Sequence, residues 1–452
     1  MKRKILLISL VFLLTLQAVS GQSLGDGRSI TIANLDDIDK VYLQFMSAHP
    51  EIEVRFAGNY LTDDQVLQSI MTQSDAIDIY CLNVNGLAFR SLYRRDFLAP
   101  IDDLAMYTVN MLPQVRSRIE KEGHLVALPY TSSTVGGFSY DPEVLTKIGL
   151  TADELPDNWI DLFGFIDEWT QQYAADYPEI ALFEPSTMED VRRTVFYTLY
   201  NDYCTHLDAF DQPNTFDTPL FRRLLSAFEA VDFQALEAQY GNGADWWEGD
   251  ILFGRDDDIG FVQTRENANQ SLALKLDEDT GPYYAMTLYV CIINPYSKNQ
   301  DIASTYLHCA AEHMEDYTRY SLAPDEAVPL RSESYEEVKG NFSQAIEELT
   351  LQASELEAAD RIDLDMQIDD LEKRWAHLDE TLWIVNDALI SRYAQQAPHI
   401  VVYNHGMIGG FDGMGEDGVH AIIERFIAGQ FDRDMLISQL DQRVMLEVME
   451  WQ

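Results

Sequence analysis

Three short apolar segments, at 30–33, 51–56 and 76–82, alternate with two segments of helical spacing near the start of the chain. The second apolar segment alternates polar and apolar side chains, as a half-buried strand does. The first helical segment is predicted to end at His49 and Pro50, since proline cannot continue a helix. An order of strand, helix, strand, helix and strand indicates a mostly parallel sheet with helices on its faces. The sequence therefore predicts an α/β fold.

Similar patterns continue along the rest of the chain. Helices are predicted for the amphipathic segment 159–173, after Asn299, and from about 418 and 433. Between 346 and 384 the chain is acidic, and its apolar residues recur three and four apart in two runs. The break between these runs favours two helices packed on a lobe over a continuous coiled coil. Further strands are predicted at 125–129, 136–140, 259–262, 285–293 and 399–403.

Residues 1–20 have the pattern of a signal peptide. Lys2, Arg3 and Lys4 precede an apolar run, and small residues before and at Ser20 suit cleavage there. The apolar run of about 15 residues is shorter than the roughly 20 that a membrane span needs, so an uncleaved anchor is the weaker alternative. We therefore expect an exported protein that is either extracellular or in the cell envelope, which means periplasmic or on the outer face of the cytoplasmic membrane. Its roughly 430 remaining residues suffice for two or three cores.

The chain is strongly acidic, with a formal net charge of −45 at pH 7. Such a surface repels phosphate backbones and anionic headgroups. Nucleic-acid binding and a basic membrane contact are therefore not expected. The same field favours neutral or cationic ligands over anionic ones, but a surface that only keeps the protein in solution would have the same composition.

The four cysteines, Cys81, Cys204, Cys291 and Cys309, have neither a Cys-x-x-Cys motif nor the spacing of a metal site. Cys81 and Cys291 lie within apolar strand-like segments, where a buried free thiol is the ordinary outcome. Export would permit disulfides. No catalytic or metal-binding cysteine is expected, and no metal or other cofactor is predicted.

Several segments, in order along almost the whole chain after the signal peptide, resemble one family. They include a helix that ends in proline before the second strand, a Leu-Pro-Tyr strand end, and a Pro-x-x-Trp start of a helix. The segments lie at 45–54, 76–80, 97–103, 123–130, 138–142, 149–150, 155–159, 293–299, 426–430 and 442–444. They resemble the extracellular solute-binding proteins of family 1, the carbohydrate-type receptors of ABC importers.

This resemblance implies a periplasmic-binding-protein-like fold, in which two α/β lobes are joined by hinge crossings and each lobe is discontinuous in sequence. The crossings are expected just after Tyr130, near Pro282 and near Pro329. Residues 21–130 and 283–329 would then form lobe 1, and residues 131–282 and 330–452 would form lobe 2, with the acidic helical pair in the last segment. The resemblance also implies the permease subunits of an ABC importer as partners, and we expect a monomer.

Ligands of open α/β sheets bind beyond the carboxyl ends of the strands, and this rule selects the candidate ligand-binding residues. Planar polar groups suit sugar hydroxyls, and aromatic faces cover the C–H faces of a pyranose. The alternative role of Asn34 and Asp36 is helix capping, and one of the two adjacent tryptophans is expected to pack away from the ligand. The candidates are Asn34, Asp36, Asn83, Asn85, Tyr130, Thr131, Ser132, Ser133, Glu184, Trp246, Trp247 and Gln263.

Motifs for catalysis and for nucleotide binding are weak. Gly413 to Gly418 formally fits Gly-x-Gly-x-x-Gly, but no strand follows it and Glu416 and Asp417 would repel a pyrophosphate. There is neither a nucleophile elbow nor a phosphate-binding loop. The sequence therefore predicts a receptor without catalytic residues, which captures a sugar or another small neutral solute. A secreted carbohydrate hydrolase and a sensory binding module are the alternatives.

Overall fold

The structure is a computed structural model. It describes residues 28–35, 40–135, 137–183, 191–209, 215–238, 249–256, 270–272, 274–332, 334–354, 356, 361–402 and 418–450. The predicted signal peptide lies outside these residues, as does the predicted strand at 259–262. Within the described ranges, no helix is both long and apolar enough to cross a bilayer.

Fourteen strands are described, most of them short. They are β1 (Arg28–Ala33), β2 (Ile52–Phe56), β3 (Ile79–Asn83), β4 (Glu120–Lys121), β5 (His124–Leu125), β6 (Leu128–Val135), β7 (Gly137–Tyr140), β8 (Ile180–Phe183), β9 (Asp250–Asp256), β10 (Gln270–Leu272), β11 (Tyr284–Ile293), β12 (Leu330–Arg331), β13 (Trp383–Val385) and β14 (Ile400–Val402).

The described α-helices are more numerous than the sequence patterns indicate. They are α1 (Lys40–Ala48), α2 (Asp63–Met71), α3 (Leu87–Arg94), α4 (Pro113–Ile119), α5 (Pro142–Lys147), α6 (Trp159–Glu168), α7 (Val191–Ala209), α8 (Pro219–Ala230), α9 (Phe233–Glu237), α10 (Gln300–Glu312), α11 (Asp316–Leu322), α12 (Tyr335–Ser354), α13 (Ile362–Thr381), α14 (Asp387–Gln396), α15 (Val419–Ile427) and α16 (Arg433–Glu450). A π-helical turn, Trp169–Tyr173, continues α6.

The first sheet has the strand order β14-β11-β3-β1-β2, and β6 pairs with the other edge of β11. β1 is parallel to β2 and to β3, and β11 is parallel to β14. β11 runs antiparallel to both β3 and β6. The predicted order of three parallel strands with two intervening helices is confirmed for residues 28–83.

The second sheet has the order β10-β7-β9-β8. β8 is parallel to β9, but β7 is antiparallel to both β9 and β10. The described part of this sheet is therefore mixed, where the sequence predicted a mostly parallel one. The pattern of apolar residues within a segment does not determine this direction, because β7 pairs with strands that lie far along the chain.

Two separate apolar cores define two lobes. The first contains the inner residues of β1 and β3, most of β11, and side chains as far along the chain as Val402. The second begins at Phe138, continues to Leu276, and resumes from Val419 to Val444. The chain therefore passes between the cores in three places: next to Gly137, between Leu276 and Tyr284, and between Val402 and Val419.

The boundary predicted near Pro329 is wrong. Val385, Leu389, Tyr393 and Ile400 pack in the first core, whereas the sequence assigned everything after 329 to lobe 2. The reason is that β14 extends the first sheet alongside β11. The boundary after Tyr130 is also early, because residues 131–135 still pair with β11.

The acidic helical pair forms a hairpin of α12 and α13. The helices pack through Phe342 and Tyr335 against Trp375, with ring centroids 5.7 and 5.9 Å apart. At the base, the Arg331 guanidinium lies 3.4 Å from the centroid of the Trp383 ring. Of the described side chains in the two helices, only Ala353 is buried. The hairpin is thus largely exposed, whereas the sequence predicted two helices packed on a lobe.

The first passage between the lobes is built against α7. Gly137 has a φ of +81°, a left-handed conformation that favours glycine. A Cβ at this position would lie 3.6 Å from Thr198 Cγ2 and 3.9 Å from Asp202 Oδ2. Trp159 Nε1–H donates a hydrogen bond of 2.8 Å to the same Asp202 oxygen. Since α7 also contacts β11 and β14, it links the second lobe to the first.

Replacing Asp202 with asparagine should alter how stability depends on pH. Burial raises the pKa of Asp202 to about 7, although the hydrogen bond from Trp159 lowers it. The unfolded carboxyl ionises near pH 4, so the stability that the neutral carboxyl contributes is complete below about pH 4 and is lost as the pH rises through about 7. Asp202→Asn keeps an acceptor for Trp159.

The Asp202→Asn variant should therefore match the parent at pH 4. At pH 8 it should be more stable, by at most about 4 kcal/mol for a shift of roughly three pKa units. Denaturant titrations of both proteins at the two pH values measure this difference. A difference that is the same at pH 4 and pH 8 would contradict the assignment.

Candidate ligand-binding site

Three neighbouring strands bring polar and aromatic side chains into one row. Asn83 at the end of β3 is opposite Tyr289 of β11, and Tyr289 is opposite Thr131 of β6. Directly opposed residues point to the same face of a sheet. Along β11, Ala285, Thr287 and Tyr289 are more exposed than the buried residues between them. The row therefore lies on the open face of the first sheet.

An irregularity in β6 places a second ring beside this row. Tyr289 is opposite Thr131, but Val290 is opposite Pro129, so Tyr130 is an extra residue in its strand, as in a β-bulge. The Tyr130 ring meets the Tyr289 ring edge-on, with centroids 6.3 Å apart. Bulges re-aim side chains, and this one turns Tyr130 toward Tyr289.

The surroundings of Tyr130 keep its hydroxyl neutral. Burial raises the pKa of the Tyr130 hydroxyl well above its ordinary value, and neighbouring groups add to that shift. Those groups are the thiols of Cys81 and Cys291 and the phenols of Tyr60 and Tyr289. The side chain of Tyr60 is 70% exposed and that of Tyr289 is 37% exposed. Three tyrosines thus form a cluster in which two rings offer open surface.

Hydrogen bonds join the loops that follow β1, β2 and β3. Asn34 Nδ2–H donates to the Leu61 carbonyl at 3.1 Å, and Asn34 Oδ1 accepts from the Leu61 N–H at 2.7 Å. Asp63 Oδ2 accepts from the Ala88 N–H at 3.0 Å, in the first turn of α3. A Cβ at Gly86 would come within 2.9 Å of that carboxylate. The loops are therefore held in one arrangement without a ligand.

Two candidate residues carry buried oxygens that lack partners. Asn83 Oδ1 accepts from the Asn85 N–H at 2.9 Å, which fixes the turn after β3. Asn85 Oδ1 and Ser132 Oγ are buried and have no hydrogen-bond partner among the residues that the structure describes. Buried polar atoms are normally paired, so Asn85 Oδ1 is one that a bound molecule or water would satisfy. Ser132 is opposite the fully buried Leu288, so it points to the core side of the sheet, away from the row.

Comparisons with known proteins point to one fold. No protein-family model matches the chain, and no curated protein matches it. Solved structures do match. The sugar-binding protein MalE of Xanthomonas citri has a TM-score of 0.52 and 14% identity, covering 94% of this chain and 98% of that one. A cyclic α-maltosyl-1,6-maltose binding protein of Arthrobacter globiformis has a TM-score of 0.52 and 12% identity, covering 92% and 97%.

This chain has the two-lobed fold of ABC transporter solute-binding proteins. A third match, the solute-binding protein of Thermotoga lettingae bound with α-D-tagatose, has a TM-score of 0.50 and 12% identity, and covers 92% of this chain and 99% of that one.

The structure describes the first-lobe candidates of this fold except Asp36, and it describes none of the candidates from 184 to 263. Asn83, Tyr130 and Thr131 lie together beside Tyr289, and Ser133 is opposite Thr287. The candidates Asp36, Glu184, Trp246, Trp247 and Gln263 lie outside the described residues. For those five, ligand binding stays a prediction.

The Asn34 side chain holds a loop in the structure, and its ligand binding stays a prediction. Both functional groups of its side chain are used by Leu61, so it positions a loop, and it caps no helix through these bonds. Its φ of +62° is left-handed, which asparagine tolerates better than most residues. Within the solute-binding fold Asn34 thus acts on the site through the loop that carries Tyr60.

Sequence reasoning missed Tyr60, Thr287 and Tyr289. Tyr60 lies in the loop that follows β2, four residues after Phe56, so the rule of strand ends could have selected it. Thr287 and Tyr289 lie inside a strand, and the rule of strand ends does not select them. The sequence contains a signal for both. At 284–289, Ala285, Thr287 and Tyr289 alternate with Tyr284, Met286 and Leu288, and such alternation is typical of a strand with one exposed face.

Removing the Asn34 side chain should loosen the loop at Leu61. Asn34→Gly keeps the left-handed backbone and deletes two hydrogen bonds, which should cost about 1–3 kcal/mol of stability. Asn34→Ala should cost about 1 kcal/mol more, because Cβ disfavours this backbone conformation. Urea denaturation of the three proteins measures both steps. Equal stability of Asn34→Gly and the parent would show that the Leu61 bonds contribute nothing.

Proposed function

We propose that the protein is an exported receptor that captures a neutral sugar, or a related solute rich in hydroxyl groups, and delivers it to an ABC importer. The observation that carries this proposal is the row of Asn83, Tyr289 and Thr131 on the open face of the first sheet. The two-lobed fold supports a site that forms between lobes. The basic and apolar pattern of residues 1–20 supports export.

The groups in the row fit hydroxyl recognition. An amide such as that of Asn83 both donates and accepts, and a threonine hydroxyl does the same. The exposed face of Tyr289 can cover the C–H face of a pyranose, while the neutral Tyr130 hydroxyl remains a donor. A phosphate or carboxylate ligand would instead need cationic partners. The net charge of −45 opposes an anionic ligand further.

Binding without turnover is part of the proposal. Amide, hydroxyl and phenol groups hold a glycoside without cleaving it, because hydrolysis needs a pair of carboxyl groups on either side of the bond. Asp63, the carboxylate beside the loop of Tyr60, is already bonded to the Ala88 N–H. A single polypeptide acting as a monomer is sufficient for this function.

A thermal-shift screen of the chain from residue 21 onward tests the ligand class. The arms are neutral mono- and oligosaccharides, sugar phosphates, and cationic polyamines. A true ligand at a hundred times its Kd stabilises the native state by roughly 2.7 kcal/mol. We expect neutral sugars or polyols to raise the melting temperature and sugar phosphates to leave it unchanged. Stabilisation by polyamines alone, or release of reducing ends from oligosaccharides, would overturn the proposal.

Truncating Tyr289 should weaken binding without unfolding the protein. Loss of a well-packed aromatic face on a sugar costs about 1–3 kcal/mol, which is roughly tenfold to a hundredfold in Kd. Tyr289→Phe should retain most of the affinity, because it keeps the ring. Isothermal calorimetry with the best sugar from the screen gives the Kd values of the parent, Tyr289→Ala and Tyr289→Phe.

The matched control is Tyr317→Ala. Tyr317 is also 37% exposed and also belongs to the first lobe, but it lies on α11 rather than in the row. Its Kd should equal that of the parent. If Tyr289→Ala also binds as the parent does, the open face of β11 is not the ligand surface.

A further inference from the structure

Cys81 and Cys291 face each other across two neighbouring strands. They are 210 positions apart in the chain, yet the antiparallel register of β3 and β11 pairs them directly. Their Sγ atoms lie 2.8 Å apart, so the two side chains already point at one another. Both residues are only 3% exposed.

The hydrogen-bond pattern identifies which kind of pair this is. The Val84 N–H donates to the Leu288 carbonyl, and the Asn294 N–H donates to the Asp78 carbonyl. Hydrogen-bonded and non-hydrogen-bonded pairs alternate along an antiparallel ladder. Counting inward from either bond places Cys81 and Cys291 at a non-hydrogen-bonded position. At such positions the Cα atoms are about 4.5 Å apart, which lies within the range that a disulfide spans.

The other two cysteines lie elsewhere in the fold. Cys204 is buried in the core of the second lobe. Cys309 lies on α10, where its Sγ is 3.9 Å from the Val41 carbonyl oxygen and 3.7 Å from His313 Nδ1. The geometry therefore selects one pairing out of the four cysteines.

We propose that Cys81 and Cys291 are joined by a disulfide in the exported protein. The bond would lie next to the candidate ligand-binding row, on the same face of the sheet. The proposal rests on the proposed function for its oxidising surroundings, since export delivers the chain to a compartment where disulfides persist. The oxidant is an external disulfide of the glutathione or oxidoreductase class. One thiolate attacks it and releases one thiol, and the second cysteine thiolate then attacks the mixed disulfide and releases the other. Two cysteine thiols become one S–S bond, and one external disulfide becomes two thiols.

The bond forms while the chain folds. In the folded lobe the pair is buried and lies near the Tyr130 side chain, so an external disulfide cannot reach it. During folding the two cysteines become neighbours when β11 pairs with β3, and the pairing of β6 with the other edge of β11 completes the sheet around them. Once formed, the bond is shielded from reductants by the same burial.

The disulfide has a consequence for the ligand-binding row. Cys81 and Cys291 lie two residues from Asn83 and Tyr289 on the same pair of strands, and therefore on the same face. A covalent link at this position fixes the separation of β3 and β11 where the row begins. Asn83 and Tyr289 are thereby held at a constant spacing before a ligand binds.

The test is refolding of the reduced chain from residue 21 onward in a buffer of oxidised and reduced glutathione. After refolding, free thiols are alkylated under denaturing conditions without reductant, and the protein is digested and mapped by mass spectrometry. We expect two alkylated cysteines, Cys204 and Cys309, and one linked peptide pair containing Cys81 and Cys291. Four alkylated cysteines, or a linked pair containing Cys204 or Cys309, would overturn the proposal.

Two variants make the result independent of how well any one protein refolds. Cys204→Ala with Cys309→Ala should leave no thiol to alkylate, whereas Cys291→Ala should leave three. Reduction of the parent with a strong phosphine in denaturant, followed by refolding without an oxidant, should lower its melting temperature, because the loop of 210 positions is no longer closed. The same treatment should not change the melting temperature of Cys291→Ala. A melting temperature of the parent that the reductant does not change would also count against the bond.

The disulfide and the sugar-binding proposal fail separately. A linked Cys81–Cys291 pair in a protein that no sugar stabilises would retain the disulfide and refute the ligand class. Four free thiols in a protein that binds sugar would refute the disulfide alone.

Discussion

The antiparallel pairing of β11 between β3 and β6 is the interaction on which the rest of the structure depends. β11 also pairs with β14, so a single strand of ten residues connects three segments from distant parts of the chain. Its inner residues, Leu288 and Val290 among them, are fully buried in the first core. Its outer face carries Thr287 and Tyr289. The same strand therefore stabilises the lobe and forms the middle of the candidate site.

A buried polar network anchors the far end of this strand. Asn294 follows β11 directly, is fully buried, and donates to the carbonyls of Ser74 and Ile77 at 2.8 and 2.7 Å. Asp78 accepts hydrogen bonds from the Thr31 N–H and the Ser297 hydroxyl at 2.7 and 2.5 Å. Buried polar groups are tolerated when every one is satisfied, and they then specify a single arrangement. The segment 293–299, one of those that resemble the solute-binding family, is thus the part that fixes the register of β11.

The sequence predicted well whatever is determined locally. Three features could be predicted because each depends on residues that are close in sequence. They are the alternating strands and helices at 30–83, the amphipathic helix from 159 and the helix after Asn299. Long-range pairing could not be predicted in this way. Nothing local shows that Ile400 joins β11, so residues 385–402 were assigned to the wrong lobe, whereas Val419 to Val444 lie in the second core as predicted. The same limit hid Tyr289 as a site residue and the pairing of Cys81 with Cys291, since both follow from register between strands about two hundred positions apart.

The three passages between the lobes also govern the order in which the protein can become complete. The first lobe begins at β1, but its sheet needs β11 and then β14, which ends at Val402. The second lobe likewise waits for Val419 to Val444 to fill its core. Contacts of such long sequence separation make folding slow. A ribosome that has made the first third of this chain has therefore made no unit able to fold alone, and neither lobe could be excised as a continuous fragment.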